Sequence, residues 1–276
     1  MIEDCVYGLH FRNLSDNIGP DLYKPDNNYQ NIDKEHQTIY SGVEFADKAL
    51  KYIRNNPDKK FTLITHNSDN DAEEQDIPYN LVHWYTQNLN FKHEKVSPLP
   101  IGFENPFWHP WKEEIILNSK SKRKRIPAAF AQFNPVTHKQ DRSLVLNLIT
   151  NKQVTAYIFN CINGQNFETY VENMNTYTYC LCPRGNGIDT HRIWEALYFE
   201  CIPIVKRHAT HEFEYDLPII FVEDWSELTD QYIQDKYNKI NFDDFNSPVL
   251  SMNYWKEYTH DNNTVWNSQN GFYFSL

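Results

Sequence analysis

Hydrophobic positions in the first half of the chain form two different patterns. Residues 61–65 are a short apolar run between polar loops, which predicts a buried strand. Residues 43–53 carry apolar side chains at helical spacing and end in Asn-Asn-Pro, so they predict a helix. Residues 97–103 contain two prolines and predict a further extended segment. Strands and helices therefore alternate in this half.

The second half repeats this alternation. Its apolar patterns predict strands over residues 128–133, 155–159, 177–182, 202–205 and 219–222, and helices over residues 137–150, 167–175, 190–199 and 225–237. In the first of these helices we expect Thr137 to cap the N-terminus and Leu144, Leu148 and Ile149 to face the core. Such alternation indicates parallel sheets covered by helices on both faces. The predicted fold class is α/β, with two doubly wound domains and a ligand cleft between them at the carboxyl ends of their strands.

A basic segment, Lys-Ser-Lys-Arg-Lys-Arg, interrupts the chain at residues 120–125 and is followed by Ile-Pro. A charged segment closed by proline is typical of a solvated connection between domains, and a nuclear-import or nucleic-acid signal is the alternative. We predict an N-terminal domain over residues 1–124 and a C-terminal domain over residues 125–276, whose last helix packs back on the N-terminal domain.

The composition narrows the function classes. Of 276 residues, 40% are hydrophobic and 15% aromatic, which excludes a disordered chain, and the net charge of −11 disfavours nucleic acids and anionic membranes as partners. No apolar run reaches the ~20 residues of a membrane helix, and the first residues are acidic, so we expect no membrane span and a cytoplasmic location. Five cysteines without metal-finger spacing favour a reducing compartment, with Cys180 and Cys182 as buried thiols on one side of a strand.

Residues 182–197, CPRGNGIDTHRIWEAL, carry the strongest functional signal. They combine a strand end, a turn with two of the eight glycines, and a helix start, so the turn needs positive φ or a close approach. The helix N-terminus, together with Arg184, His191 and Arg192, forms a candidate phosphate site. Glu195, one turn further, is placed to accept hydrogen bonds from both ribose hydroxyls. The alternative is an ordinary turn in which Asp189 caps the helix, Arg192 pairs with a surface acid and Glu195 is solvated.

Together with Cys-Ile-Pro-Ile-Val at residues 201–205, this segment resembles the nucleotide-sugar signature of the exostosin-like glycosyltransferases, family 47. Residues 133–137 with Arg142 are similar to the opening of that family's C-terminal domain. Residues 65–69 and 100–105 are similar to N-terminal segments of small viral and bacterial members, such as chlorovirus xylosyltransferases. The animal exostosins carry a membrane anchor and stem that this sequence lacks, so we do not expect a Golgi location or a heparan-type substrate.

The resemblance implies a GT-B architecture of two Rossmann-like domains, an inverting mechanism and no metal or other cofactor. It implies UDP-xylose as the donor, a glycan as the acceptor and, for a viral protein, a location in the host cytoplasm. Arg142 and Arg192 would hold the diphosphate and Glu195 the ribose. The other candidate donor-binding residues are Arg184, Gly185, Asn186, Gly187, Asp189, Thr190 and His191.

An inverting transfer needs a general base, which we expect in the loop after the strand at residues 61–65. Asp69 is the leading candidate, with His66 and Asp71 behind it, although Asp residues in such loops also form turns. Asp69-Asn70-Asp71 is also the D-x-D pattern of metal-dependent transferases. A second possible metal site, His208 and His211, lacks a third ligand at fixed spacing, and we expect no metal.

Candidate acceptor contacts lie in the N-terminal half. Aromatic residues there could stack on a sugar or fill the core: Trp84, Tyr85, Phe107, Trp108 and Trp111. Glu104, Asn105 and His109 are expected to contact the acceptor or the donor sugar. A second hypothesis is a catalytically inactive module that binds a nucleotide sugar or glycan, and a third, more distant one is a nucleic-acid-binding protein.

Overall fold

The computed structural model describes residues 5–106, 108–119, 124–154, 156, 158–160, 166–211 and 217–261. The N-terminal half forms a five-stranded parallel sheet whose strands follow chain order. These strands are β1 (Asn17–Ile18), β2 (His36–Gly42), β3 (Lys60–His66), β4 (Leu81–Thr86) and β5 (Val96–Pro98). The helices of this half are α1 (Gly8–Asn13), α2 (Ala46–Arg54) and α3 (Trp111–Ser119).

Side chains on β3 and β4 alternate between two buried layers, as a central strand requires. Leu63 and Trp84 lie in the cluster that includes apolar residues of α2, whereas Ile64 and Tyr85 lie in the cluster on the opposite face. The sheet is thus covered on both sides, and its polar groups collect at the strand ends.

The C-terminal half contains a second five-stranded parallel sheet, with the order β10-β9-β8-β6-β7. Its strands are β6 (Ile126–Ala131), β7 (Ile158–Asn160), β8 (Tyr177–Leu181), β9 (Ile202–Lys206) and β10 (Ile220–Val222). The remaining helices are α4 (Lys139–Thr150), α5 (Phe167–Thr176), α6 (His191–Tyr198), α7 (Asp230–Tyr237) and α8 (Met252–Asp261). The predicted α/β class with parallel sheets is confirmed. Cys180 and Cys182 are free, buried thiols in one cluster, as predicted.

Local details differ from the sequence predictions. Helix α4 begins at Lys139 after His138, which is left-handed (φ 50°) and gives no side-chain cap, so the predicted Thr137 cap is wrong. Leu144 is 41% exposed, and Val145 is buried instead, because the buried face of the helix is offset by one residue. The expected helix at residues 225–237 is divided into a 3-10 turn and α7, since Asp224 and Thr229 each cap a separate start. Residues 155 and 157 of one predicted strand and residues 120–123 of the basic segment lie outside the described residues.

The two halves share a hydrophobic cluster, which contains Ile64 and Tyr85 from one sheet and Cys180 from the other. Helix α8 contributes to this junction: the Tyr85 hydroxyl donates to the carbonyl of Tyr258 at 3.2 Å. None of the helices in the described ranges has the length and apolar character needed to cross a bilayer. The shared cluster and helix α8 hold the loops after the strands of both sheets together.

Candidate active site

A cavity of about 730 Å³ lies among the loops that follow β3, β5, β6 and β8. This volume is typical of small-ligand sites, and carboxyl ends of parallel strands are where such sheets bind ligands. The predicted site residues that line it are Asp69, Glu104, Arg142, Gly185, Asn186, Gly187, Asp189, Thr190, His191, Arg192 and Glu195. His66, Asp71, Asn105, His109 and Arg184 are not in its lining.

The glycine turn after β8 is closely packed against other side chains. Among the described glycines only Gly102 has positive φ, so close approach rather than a left-handed backbone accounts for this turn. A Cβ on Gly187 would lie 2.6 Å from Asn88 Nδ2, and one on Gly185 would lie 3.2 Å from Arg142 Nη2. Protein contacts therefore leave no room for a side chain at Gly187, whereas at Gly185 a Cβ would be tight and would press on the Arg142 guanidinium.

Asp189 joins the turn to the N-terminal half. Its carboxylate accepts hydrogen bonds from the backbone N–H of Ile101 at 2.7 Å and from Trp194 Nε1 at 2.9 Å. Burial raises the pKa of Asp189 to about 6 in spite of these donors. Helix α6 has no side-chain cap, because the side chain of Thr190, the residue before it, makes no cap hydrogen bond. Asp189 thus connects two segments, and the ordinary-turn alternative, in which it caps the helix, does not fit.

Two arginines of the C-terminal half, Arg142 and Arg192, face the cavity. Arg142 donates from Nε to the carbonyl of Arg184 at 2.9 Å and from Nη1 to that of Asn134 at 3.2 Å. Burial and the neighbouring guanidinium of Arg192 lower the pKa of Arg142 to about 10. Within the described part of the chain, neither arginine has a carboxylate within ion-pairing distance. Two neighbouring buried guanidinium groups that no carboxylate contacts favour an anionic ligand.

Glu195 lies on the same helix as Arg192 and is buried, with only 7% of its surface exposed. Its Oε2 accepts a hydrogen bond from the Tyr170 hydroxyl at 2.7 Å. The alternative in which Glu195 is solvated is therefore wrong. A carboxylate held in this way retains acceptor capacity for a ligand hydroxyl.

The loop after β3 presents its acids in different directions. Asp69 is exposed and accepts a hydrogen bond from Asn186 Nδ2 at 3.1 Å, whereas Asp71 pairs with Arg184 at 3.1 Å. Asn67, at φ 55°, makes the left-handed turn that leads out of the strand. Both predicted acids of the D-x-D pattern therefore contact the glycine turn, each through its own partner.

His66 is fully buried beneath this loop. Its Nδ1 accepts from the backbone N–H of Asn67 at 2.8 Å, so Nε2 carries the proton and donates to the carbonyl of Pro100 at 2.9 Å. Burial lowers the pKa of His66 to about 4. With both nitrogens engaged, the imidazole supports the loop and has no free nitrogen for a ligand.

The acceptor-side candidates form a small polar cluster. Glu104 contacts Lys112, and it accepts from His109 Nδ1 at 2.8 Å. Burial alone would raise the pKa of Glu104, but these two contacts lower it. Asn105 is buried, where it accepts from Leu9 N at 2.8 Å and donates to Asn67 Oδ1 at 3.0 Å. Asn105 therefore supports the loop after β3, which carries Asp69, through its contact with Asn67.

The aromatic candidates divide into two groups. Trp84 and Tyr85 are fully buried core residues, while Trp108 and Trp111 are about half exposed. The Trp111 ring contacts Phe167, which lines the cavity. Phe107 lies outside the described residues. Of the four candidates that the structure describes, Trp108 and Trp111 are thus open to contact a sugar.

A metal ion in a protein needs several His, Cys, Asp or Glu side chains grouped around one point. In the ranges that the structure describes, no three His, Cys, Asp or Glu side chains are grouped to hold one. The rings of His208 and His211 are 6.0 Å apart, and burial lowers the pKa of His211 to about 3.

Three residues that shape the site were not predicted from the sequence. Lys112 and Tyr170 line the cavity, and Asn88 hydrogen-bonds to the backbone N–H of Asp189 at 2.9 Å. Each of them reaches the site from a distant segment through packing. No local pattern in the sequence marks them.

The fold and site define an α/β protein with a cavity at the carboxyl ends of two parallel sheets, and Arg142 and Arg192 line this cavity. The family model of the Exostosin GT47 domain matches residues 60–229, which is more than half of the chain. The chain therefore belongs to this family, and it is a glycosyltransferase. A search of curated proteins gave no match.

Proposed function

We propose that this glycosyltransferase moves xylose from UDP-xylose to a glycan hydroxyl with inversion at the anomeric carbon, in a GT-B architecture. The observation that carries the proposal is the pair of cavity arginines, Arg142 and Arg192, which lack a carboxylate partner among the described residues. Two guanidinium groups at one site match the charge and the donor needs of a diphosphate. The choice of UDP-xylose rests on the family resemblance alone.

The donor is bound by the C-terminal half in this proposal. Arg142 and Arg192 hold the diphosphate and stabilise the charge that develops on it as the sugar leaves. Glu195 accepts a hydrogen bond from the ribose. Arg184 acts indirectly, because its ion pair with Asp71 holds the glycine turn.

Asp69 is the proposed general base. The acceptor oxygen attacks the anomeric carbon, the bond from that carbon to the phosphate oxygen breaks, and UDP leaves with the bonding electrons. Asp69 takes the proton of the attacking hydroxyl. Its place in the cavity lining supports this role, whereas His66 and Asn105 support the loop that carries it.

The acceptor lies toward Glu104, His109 and the half-exposed Trp111. Glu104 offers a carboxylate to hydroxyl groups, and Trp111 offers an aromatic face beside the cavity. This assignment is supported by position and chemistry.

Calorimetry tests donor binding without an acceptor. We expect UDP to bind more tightly than GDP or CMP, and Arg192→Gln to weaken UDP binding by about 10- to 100-fold through the loss of a charged hydrogen-bond donor. Arg54→Gln is the matched control, because Arg54 pairs with Asp76 on the surface. Absence of UDP binding to the wild type would refute the proposal.

Release of UDP from UDP-xylose, in the presence of a panel of oligosaccharides, tests the base. We expect Asp69→Asn to retain UDP affinity and to lower turnover by about 10²- to 10⁴-fold, whereas Asp76→Asn, on an exposed loop, changes neither. Near-normal turnover of Asp69→Asn would remove this base assignment. Equal losses in Asp69→Asn and Asp71→Asn, with inhibition by EDTA, would instead favour the metal-dependent alternative. UDP binding by a wild type that consumes no donor would favour the inactive binding module.

A further inference from the structure

Tyr170 on α5 contacts both of the side chains that the proposed donor site takes from α6. Its hydroxyl donates to Glu195 Oε2 at 2.7 Å, and the centre of its ring lies 5.6 Å from the guanidinium carbon of Arg192. Tyr170 is itself buried, with 8% of its surface exposed, and it lines the cavity. One side chain therefore contacts a cation and an anion that belong to the same site.

Arg192 and Glu195 are three residues apart on one helix, a spacing at which opposite charges can pair. Among the described residues, however, neither of them takes part in an ion pair. The tyrosine contacts each of them in a different way: the hydroxyl engages the carboxylate and the ring face engages the guanidinium. These contacts account for a separation that helix geometry alone does not require.

The position of the Tyr170 ring is fixed by its neighbours. It packs against Phe130 with ring centres 6.3 Å apart and against Phe167 with ring centres 5.8 Å apart. Burial and the nearby Glu195 carboxylate raise the pKa of Tyr170, so the hydroxyl keeps its proton and acts as a donor. The contact with Glu195 is thus a hydrogen bond from a neutral phenol to a carboxylate.

We infer that Tyr170 is a positioning residue that keeps Arg192 and Glu195 apart, so that the guanidinium is left for the diphosphate and one carboxylate oxygen is left for a ribose hydroxyl. The inference rests on the proposed function, because it assumes a nucleoside diphosphate as the ligand. It also refines that function. With Oε2 held by Tyr170, Glu195 recognises the ribose through Oε1 rather than by engaging both hydroxyls with both oxygens.

Two substitutions separate the two contacts. Tyr170→Phe keeps the ring beside Arg192 and removes the hydrogen bond to Glu195. Tyr170→Leu removes the ring as well, so that Arg192 and Glu195 can pair with each other. Tyr232→Phe is the matched control, because that hydroxyl donates to the carbonyl of Phe221 outside the cavity lining.

Calorimetry with UDP and with 2′,3′-dideoxy-UDP, which lacks both ribose hydroxyls, measures the effect. We expect the wild type to prefer UDP, and Tyr170→Phe to lose about tenfold in UDP affinity but less than twofold in dideoxy-UDP affinity, because a hydrogen bond to a charged group is lost only on the ribose side. Tyr170→Leu should weaken both ligands by about tenfold or more. Tyr232→Phe should keep the wild-type preference.

A purely structural role for Tyr170 predicts a different result, since it would weaken both ligands by the same factor in Tyr170→Phe. Equal losses, or unchanged affinities, would overturn the inference. If Tyr170→Phe does not fold, Glu195→Gln tests the same point, and it should remove the preference for UDP over dideoxy-UDP while leaving dideoxy-UDP binding within about twofold. A wild type that binds UDP but shows no such preference would overturn the inference alone, whereas a wild type that binds neither nucleotide would overturn the proposed function with it.

Discussion

Asn88 offers the sharpest test of how the two halves are joined. It is fully buried after β4 and left-handed, with φ 54°. Its Oδ1 accepts from the backbone N–H of Asp189 at 2.9 Å, and its Nδ2 donates to the carbonyls of Ser68 at 3.0 Å and Asn70 at 3.2 Å. One amide group therefore holds the glycine turn against the loop that carries Asp69.

Substitution by glycine removes these three hydrogen bonds without backbone strain. The bonds to the carbonyls of Ser68 and Asn70 contribute about 1 kcal/mol each, and the buried N–H of Asp189 costs about 1–3 kcal/mol when left without a partner, so we expect Asn88→Gly to lose about 3–5 kcal/mol. Asn88→Ala should lose about 1 kcal/mol more, because a Cβ is unfavourable at positive φ. At about 2 °C per kcal/mol for a chain of this size, Tm should fall by about 6–10 °C in the glycine variant.

Thermal and urea unfolding followed by circular dichroism measure these changes. Lys152→Gly calibrates the backbone contribution, because Lys152 is exposed and also left-handed, at φ 52°, and this variant should gain about 1 kcal/mol. A Tm of Asn88→Gly within about 2 °C of the wild type would show that the three hydrogen bonds contribute no net stability. It would refute the view that Asn88 joins the halves.

Two further predictions concern the same junction. A Cβ on Gly8 would lie 2.0 Å from Asn67 Oδ1, so Gly8→Ala should lower the free energy of unfolding by about 1–3 kcal/mol and should also lower turnover. In the control Gly19→Ala the Cβ would meet the Tyr29 ring at 2.2 Å, and this variant should lower Tm alone. Equal turnover in the two variants would contradict this prediction. Asp189 has a pKa of about 6 in the fold against an ordinary value of 3.8, so the fold binds this proton more tightly than the unfolded chain does. The free energy of unfolding of the wild type should then fall by about 3 kcal/mol relative to Asp189→Asn as the pH rises from about 4 to 6, and parallel stability curves across that range would refute it.

Elements with a strong local pattern were predictable from the sequence. The apolar run at residues 61–65 became β3, and the segment that contains Gly185 and Arg192 lies on the cavity as a strand end, turn and helix. These features depend on hydrophobic period and on turn chemistry, which neighbouring residues determine. Leu144 shows the limit of this reasoning, because the face that an amphipathic helix buries depends on what packs against it.

Residues that act over long distances in sequence were not predictable. His66 and Asp69 stand only three positions apart in the sequence, yet His66 ends β3 inside the core and Asp69 is exposed beyond the left-handed Asn67. Tyr170 and Asn88 reach the site from other segments: Tyr170 contacts Glu195 and Arg192, and Asn88 bonds to Asp189 N and to the carbonyls of Ser68 and Asn70. Such contacts depend on how elements pack, which a local pattern does not encode.

The junction also changes what the helix N-terminus contributes to anion binding. The sequence suggests that the free N–H groups at the start of α6 receive a phosphate. In the structure the N–H of Asp189 is already used by Asn88, and that of Ile193 is bonded to the carbonyl of Thr190 at 3.0 Å. Fewer backbone donors are therefore left for a ligand, and in the proposed site the diphosphate is recognised mainly by Arg142 and Arg192. Because the guanidinium groups of Arg142 and Arg192 repel each other, a bound diphosphate should stabilise this region of the fold more than a neutral ligand of the same size.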